Sequence, residues 1–376
     1  MAEKVLNRID WLLVFFILPI ILSGLVTMKS FAPLENGGDF FNKQVIWVLV
    51  GFTVFFIFSF IDFRFLKRTD VLVFIFLLTS LILLALFVLG NVSHGAKSWF
   101  DFGFFSFQPV DMMKLVLVLI LAKYFSVRHV EIRDVKHIFV SLIYALIPLI
   151  LILLQPDFGS AMIVGFIWLG MVLVSGLSKT HLLLVFISGV VIFTTLWMLV
   201  FAPYQKARIY NFINPLADIH GTGYNAFQST IAVGSGQILG KGLGFGTQSR
   251  LKFLPQPQSD FIFAAYAEEW GFVGSLLILV LYGLVIWRIL YSATLGSSNF
   301  EILFGMGIAI FFMSHILINI GMNLGLMPVT GIPLPFMSYG GSHLLTEFAG
   351  LGILMSMKRY GRALHRDDTK NEFLGA

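Results

Sequence analysis

Three carboxylates gather in the stretch PQPQSDFIFAAYAEEWG, residues 255–271. Asp260 stands where a long polar segment gives way to a long apolar run, and Glu268 and Glu269 follow inside that run. A carboxylate within an apolar span is costly and is read by default as functional. At the mouth of a span it faces water on one side and lipid on the other, and it can take a proton from a hydroxyl as a general base. The competing reading of Asp260 is a helix cap, because an Asp just before a helix satisfies orphan backbone N–H groups. On one continuous helix Glu268 falls about 80° round from Asp260 and roughly 12 Å deeper, while Glu269 points nearly opposite. One of the two can therefore share a cavity with Asp260. The other needs a partner in the bundle, such as Lys114.

A second constellation opens another apolar run. Gln108-Pro109 suits a helix start, and Asp111 and Lys114, three apart, can touch on one helix face. They either neutralise each other or leave Lys114 as a cation for an anionic group. Upstream, GAKSWFDFG carries Lys97 and Trp99 in a loop, where a Trp serves as a bilayer-interface anchor or a stacking platform. Gln155-Pro156-Asp157-Phe158-Gly159 reads as a tight turn in which Asp157 caps the next helix. MPVTGIPLPFMSYGGS, residues 327–342, is too rich in Pro and Gly for a span. It reads as a rigid re-entrant turn or as a cavity lining in which Ser338 and Ser342 present hydroxyls. Two other matches carry no site. GSGQILGKGLGFG lacks the strand–turn–helix context of a nucleotide loop, and His343 with Glu347 has no third ligand nearby for a metal.

The elements that hold these residues must be membrane helices. Of 376 residues 58% are hydrophobic and 12% charged, the mean hydropathy is +0.90, and a soluble domain carries about 25% charged residues. The expected fold is all-α, a single-domain polytopic bundle over residues 1–376. Ten spans are expected, at about 11–29, 44–61, 71–90, 109–126, 138–154, 158–176, 181–202, 260–287, 300–323 and 344–357. Nine or eleven are the alternatives. No cleavable leader is expected, because no small-residue cleavage site follows the first run. Short connections carry Lys and Arg almost wholly on one side, which puts both termini in the cytoplasm. The long loop of about 203–259 between the seventh and eighth spans is then external and long enough to be functional. Part of it, AFQSTIAVGSGQI, is expected to lie on or re-enter the membrane. Cysteine is absent, which excludes disulfides and thiolate chemistry. The net charge of +5 follows topology and signals no nucleic acid. No internal repeat supports a transporter.

Together GAKSW, FQPVDMMK, QPDFGSA, GSGQILGKGLG, FLPQPQSDFIFAAYAEEWGFVG and NIGMNLGLMPVTGIPLPFMSYGGS resemble the SEDS family (shape, elongation, division and sporulation proteins) over nearly the whole chain. The short N-terminus and EEWGF lean toward its RodA-like, cell-elongation branch. The resemblance implies a peptidoglycan glycosyltransferase that polymerises lipid II at the outer face of the cytoplasmic membrane beside a class B penicillin-binding protein. It puts the catalytic aspartate on Asp260, the functional tryptophan on Trp99 and the charged pair on Asp111 and Lys114. The chain departs from the pattern at Val110-Asp111 (usually Ser-Glu), at Gln258-Ser259 (often His-Thr) and at His343 (usually a small residue).

On that resemblance, Asp260 deprotonates the lipid II acceptor hydroxyl as it attacks the donor strand's anomeric carbon, and the undecaprenyl diphosphate leaves with inversion. The diphosphate charge must be stabilised electrostatically. Lys114, Lys97, Arg208 or a divalent cation (Mg2+ or Mn2+) stay open for that task. Glu268, Glu269, Asp157, Ser338 and Ser342 complete the expected substrate-binding set with Trp99 and Asp111. The rival readings are a lipid II flippase or transporter, with the intramembrane charges as a gated path, and a scaffold for the penicillin-binding protein.

Overall fold

The computed structural model describes residues 9–31, 38–93, 96–101, 103, 106–128, 135–176, 179–199, 201, 203–214, 223–251 and 253–372. Seven long helices come first: α1 (Trp11–Phe31), α2 (Gly38–Phe60), α3 (Thr69–Leu89), α4 (Pro109–Arg128), α5 (Val135–Leu154), α6 (Phe158–Val174) and α7 (Lys179–Leu199). Three short ones follow, α8 (Pro203–Ile213), α9 (Tyr224–Ser235) and α10 (Thr247–Arg250), and then α11 (Ile262–Thr294), α12 (Asn299–Asn323) and α13 (Gly341–Glu372). Each expected span overlaps one of these helices. By length and composition six are apolar enough to cross a membrane: α1, α2, α3, α5, α11 and α12.

Burial sorts the helices. α4 carries Asp111, Lys114, Lys123 and Arg128, yet Val110, Met113 and every residue from Leu115 to Ala122 are buried. A helix enclosed on all sides belongs to the core of a bundle, and α3, α5, α6, α12 and α13 all pack on α4. The outer helices instead expose large apolar side chains, among them Phe15 of α1, Leu49 of α2 and Phe74 of α3. With no water to hydrogen-bond their backbone, such faces suit lipid.

The all-helical expectation needs one correction. β1 (Asn91–Ser93), β2 (Ala96–Asp101) and β3 (Ser106–Phe107) form a small antiparallel sheet in the order β1-β2-β3. Asn91 pairs with Trp99 and Phe100 with Phe107. The segment expected as a loop carries Trp99 and Phe100, aromatics that favour a pleated surface.

α11 begins at Ile262, after Asp260, and it is not straight: it breaks just past the two glutamates. At Gly271 the backbone turns to φ 65, ψ −162, a conformation open only to glycine. The helix N–H groups just past the break need new acceptors. Gln237 O accepts from Phe272 N at 2.8 Å, and Ile238 O accepts from Val273 N at 3.1 Å. A Cβ on Gly240 would lie 2.1 Å from Glu269 O, so the Gly-rich segment exists to bring one backbone against another. That is the structural role of a motif which sequence reading could only strip of nucleotide binding.

Candidate active site

Asp260 precedes α11, partly exposed, at the rim where α11 begins and α12 ends. The N-cap position of α11 belongs to Phe261, which makes no side-chain capping bond. Asn323 Oδ1 accepts instead from Ala264 N at 3.2 Å. A neighbouring helix thus supplies an orphan-donor partner from α12, and the capping argument for Asp260 loses its necessity.

Three successive carbonyls leading into α11 are each held. Gln258 O accepts from Tyr339 N at 2.8 Å. Ser259 O accepts from Ser338 Oγ at 2.6 Å. Asp260 O accepts from Asn319 Nδ2 at 3.0 Å and from Asn323 Nδ2 at 3.1 Å. The loop between α12 and α13 lies directly behind. A Cβ on Gly331 would sit 3.4 Å from Asp260 Oδ2, and Gly331 has φ +73. This loop is buried: Ile332, Leu334, Phe336 and Met337 belong to the core. Its polar backbone is met by side chains, Asn319 to Ile332 O at 2.7 Å, Tyr282 to Pro335 O at 2.6 Å, and Phe336 N to Glu347 Oε2 at 3.1 Å. Irregular backbone is tolerated at membrane depth only with such satisfaction.

The turn that carries Asp157 reaches the same loop through Gly159. Asp157 Oδ1 accepts from Ser160 N at 2.9 Å, capping α6, and Gln108 Nε2 lies 3.4 Å from its Oδ2. Two residues on, a Cβ at Gly159 would fall 2.6 Å from Thr330 O. The turns carrying Asp157 and Asp260 therefore touch adjacent residues, Thr330 and Gly331.

Glu268 and Glu269 do not share a cavity with Asp260. Glu268 is fully buried and turned to the long connection between α7 and α11. Its Oε1 pairs with Lys241 Nζ at 2.7 Å and accepts from Thr247 N at 2.8 Å, and its Oε2 accepts from Gln248 N at 3.1 Å. It caps α10 and pins the connection, an arrangement a helix N-terminus favours for a carboxylate. The expectation that one of the two glutamates pairs with Lys114 is corrected accordingly: Lys241 is the base that Glu268 meets. Glu269 accepts from Ser30 Oγ and, at 3.0 Å, from Gly244 N.

Lys114 pairs with Asp111 at 3.0 Å, both buried. The pair continues into a polar cluster between α4, α12 and α13. His343 Nδ1 lies 3.5 Å from Asp111 Oδ1, its Nε2 lies 2.9 Å from Glu347 Oε1, and the rings of His315 and His343 are 4.6 Å apart. His343, unusual for its motif, is thus the bridge between two acids. Ser338 presents no hydroxyl to a cavity, since its Oγ accepts from Leu334 N at 2.8 Å and donates to Ser259. Ser342 is buried as well. Trp99 is half-buried on β2. Lys97 shares that strand, and its side chain lies outside the described residues. Arg208 lies on α8, two residues past Lys206, whose ammonium stands 5.7 Å from the Trp197 ring centre.

Sequence reading missed Asn319 and Asn323. Their signal was legible: two amides at i and i+4 in an apolar helix share a face, and a polar side chain in such a helix needs a partner.

Long apolar helices with lipid-suited outer faces, packed around buried paired charges, define a multi-pass membrane protein. The profile of the FtsW/RodA/SpoVE cell cycle proteins matches residues 5–363. Peptidoglycan glycosyltransferase MrdB of Escherichia coli K12 is 36% identical over 293 residues, covering 78% of this chain and 79% of that protein. Stage V sporulation protein E of Bacillus subtilis is 34% identical over 362 residues, covering 94% and 98%. Among solved structures, a chain of a peptidoglycan synthase complex that coordinates polymerization and crosslinking aligns with TM-score 0.79 at 32% identity, over 94% of this chain and 98% of that one. The rod shape determining protein RodA of Thermus thermophilus aligns with TM-score 0.69 at 30% identity, over 93% and 96%. The chain belongs to the FtsW/RodA/SpoVE family.

Proposed function

We propose that this protein is a peptidoglycan glycosyltransferase of the elongation type, which polymerises lipid II into β-1,4 glycan at the outer face of the cytoplasmic membrane. The observation that carries the reading is Asp260, partly exposed at the rim of the bundle with its backbone fixed from α12 and the α12–α13 loop. A base held this way can take the acceptor's 4-hydroxyl proton as that oxygen attacks the anomeric carbon of the donor strand. The undecaprenyl diphosphate leaves without protonation, and its charge must be stabilised electrostatically. Lys97 and Arg208 are the basic residues proposed for it, with Trp99 as a platform against the substrate. Lys114, bound to Asp111 in the interior, is proposed to hold the bundle. Among the described residues no three His, Asp or Glu side chains converge as a metal site, and a divalent cation at the diphosphate stays an alternative to these basic residues.

Purified wild type, assayed with labelled lipid II and its partner, is expected to give long glycan on a gel. Asp260→Asn is expected to fold normally and to lose activity by about 10²–10⁴-fold, the usual worth of a general base. Wild-type turnover by that variant would remove Asp260 from the chemistry. The flippase reading gains little from the geometry, because Asp111 with Lys114 and Glu268 with Lys241 are closed pairs where a charge path needs open ones.

Relatives named for a synthase complex with polymerization and crosslinking support a class B penicillin-binding protein as the partner. Ten spans with both termini cytoplasmic are the topology proposed. The chain has no cysteine, so single cysteines report sidedness cleanly. Leu239→Cys is expected to react with a membrane-impermeant maleimide in intact spheroplasts, and Asn299→Cys, at the α11–α12 turn, only after lysis. The reverse labelling pattern would invert the topology.

A further inference from the structure

Asp260 enters the site with a constrained backbone, and the constraint comes mainly from two side chains that carry no charge. Asn319 and Asn323 are both fully buried in α12. Their amides converge on one atom, the Asp260 carbonyl oxygen, at 3.0 Å and 3.1 Å. Each amide also grips a second element. Asn319 Nδ2 donates to Ile332 O at 2.7 Å, one residue from Gly331, the glycine that faces the Asp260 carboxylate. Asn323 Oδ1 accepts from Ala264 N at 3.2 Å in the first turn of α11 and from Ser229 Oγ of α9 at 3.2 Å. The two amides are themselves linked, Asn323 Nδ2 donating to Asn319 Oδ1 at 3.2 Å and to Asn319 O at 2.8 Å.

A pair of leucines would fill the same space in an apolar helix without any desolvation cost. What two buried amides add is direction. They fix the peptide that precedes α11, the start of α11 itself and the loop behind it in one frame. Asp260 has only its own χ angles left to set relative to that frame.

We infer that Asn319 and Asn323 are positioning residues for the glycosyl transfer, holding the Asp260 carboxylate at the point where the acceptor hydroxyl is deprotonated. This inference rests on the reading of Asp260 as the base. Neither Asn is placed against substrate, so their loss acts on turnover and leaves substrate binding in place.

The test uses the full chain with its partner and purified lipid II. Asn319→Leu and Asn323→Leu remove the donors while keeping the same number and branching of side-chain heavy atoms. Each is expected to lower kcat by about tenfold or more, as a displaced catalytic group does, with KM for lipid II within about twofold of wild type. If Leu at position 319 does not give a folded protein, Asn319→Asp deletes the same donors at the same size, with the same expectation. Ser141→Ala supplies the control for general destabilisation, since it deletes the Trp168 Nε1 to Ser141 Oγ bond of 3.2 Å between α6 and α5 and the Ser141 Oγ to Ile138 O bond of 2.8 Å within α5, both away from Asp260. A fall in kcat specific to the Asn variants, with KM held, supports the positioning role. Wild-type kcat in the Asn variants overturns it, as does an equal fall in Ser141→Ala or a loss that lies in KM. Asp260→Asn is run in parallel. If it turns over like wild type, the base assignment fails and the positioning role with it. If it is inactive while the Asn variants are unimpaired, only the positioning role fails.

Discussion

Glu268 and Glu269 adjoin in sequence and diverge in task. A buried carboxylate is tolerable only if its lone pairs are met. Glu268 meets them with Lys241 and with the N–H groups of Thr247 and Gln248, so its charge anchors a connection that backbone hydrogen bonds and close glycine contacts also hold. Glu269 leans across to Ser30 and ties α11 to the end of α1. Carboxylates inside an apolar run are read as functional by default, and here that prior misleads for Glu268, whose function is architectural. Glu268→Gln tests this. The amide keeps the volume, loses the charge facing Lys241 and turns an N–H2 group toward backbone donors. It should cost about 2 kcal/mol, the worth of hydrogen bonds to a charged group. The measurements are a lower melting temperature in detergent and faster proteolysis between residues 236 and 251. An unchanged melting temperature and cleavage rate would show that the connection is held by other contacts.

At the scale of elements, the sequence was most legible where a single period runs uninterrupted. The apolar runs of α1, α3 and α5 announce themselves by length and hydropathy. So did the helix start at Pro109, which is where α4 begins. Legibility failed where an element is defined by its neighbours. β2 was hidden because a six-residue strand with Trp99 and Phe100 also reads as an aromatic interface loop, and only pairing with β1 and β3 decides it. The break at Gly271 was hidden because a glycine in an apolar run is common. What makes this one a hinge is Gly240 pressed against it, more than thirty residues earlier in the chain. The start of α11 at Ile262 also altered the geometry inferred for the carboxylates, since helical angles counted from Asp260 through Glu268 assume a helix that starts earlier. The place of Asp260 just before α11 was legible, at the seam between a polar loop and an apolar run. Asn319 and Asn323 were legible as two polar residues on one helix face, but the backbone carbonyls they hold leave no trace in a sequence.

For the whole molecule, α1 and α11 show how the bundle is closed at both faces. Near one face Ser30 of α1 meets Glu269 of α11. Near the other, Asp10, just before α1, accepts from Arg288 Nε at 2.7 Å and pairs with Lys358 Nζ of α13 at 2.8 Å, with Ser292 Oγ at 3.1 Å. Between these clasps lie about twenty residues of each helix, or ~30 Å at the helical rise, the thickness of a bilayer core. The polar clasps therefore sit at the two edges of an apolar slab. Burial on its own pushes the Asp10 carboxyl up, but its bonds and charge contacts with Arg288 and Lys358 outweigh burial and hold it below the usual value of 3.8. A lowered folded value means that the clasp's full contribution is present above the ordinary carboxylate range and is lost as pH falls through the folded value. Asp10→Asn, which leaves Arg288 and Lys358 without their common anion, should destabilise the protein by about 3 kcal/mol at neutral pH. The gap in melting temperature between wild type and Asp10→Asn should hold from pH 7 to about 5 and narrow below about 4. Fluorescence-monitored melting in detergent across that range measures it. A gap that stays constant down to pH 3 would mean that the carboxylate's charge contributes nothing to closing this face.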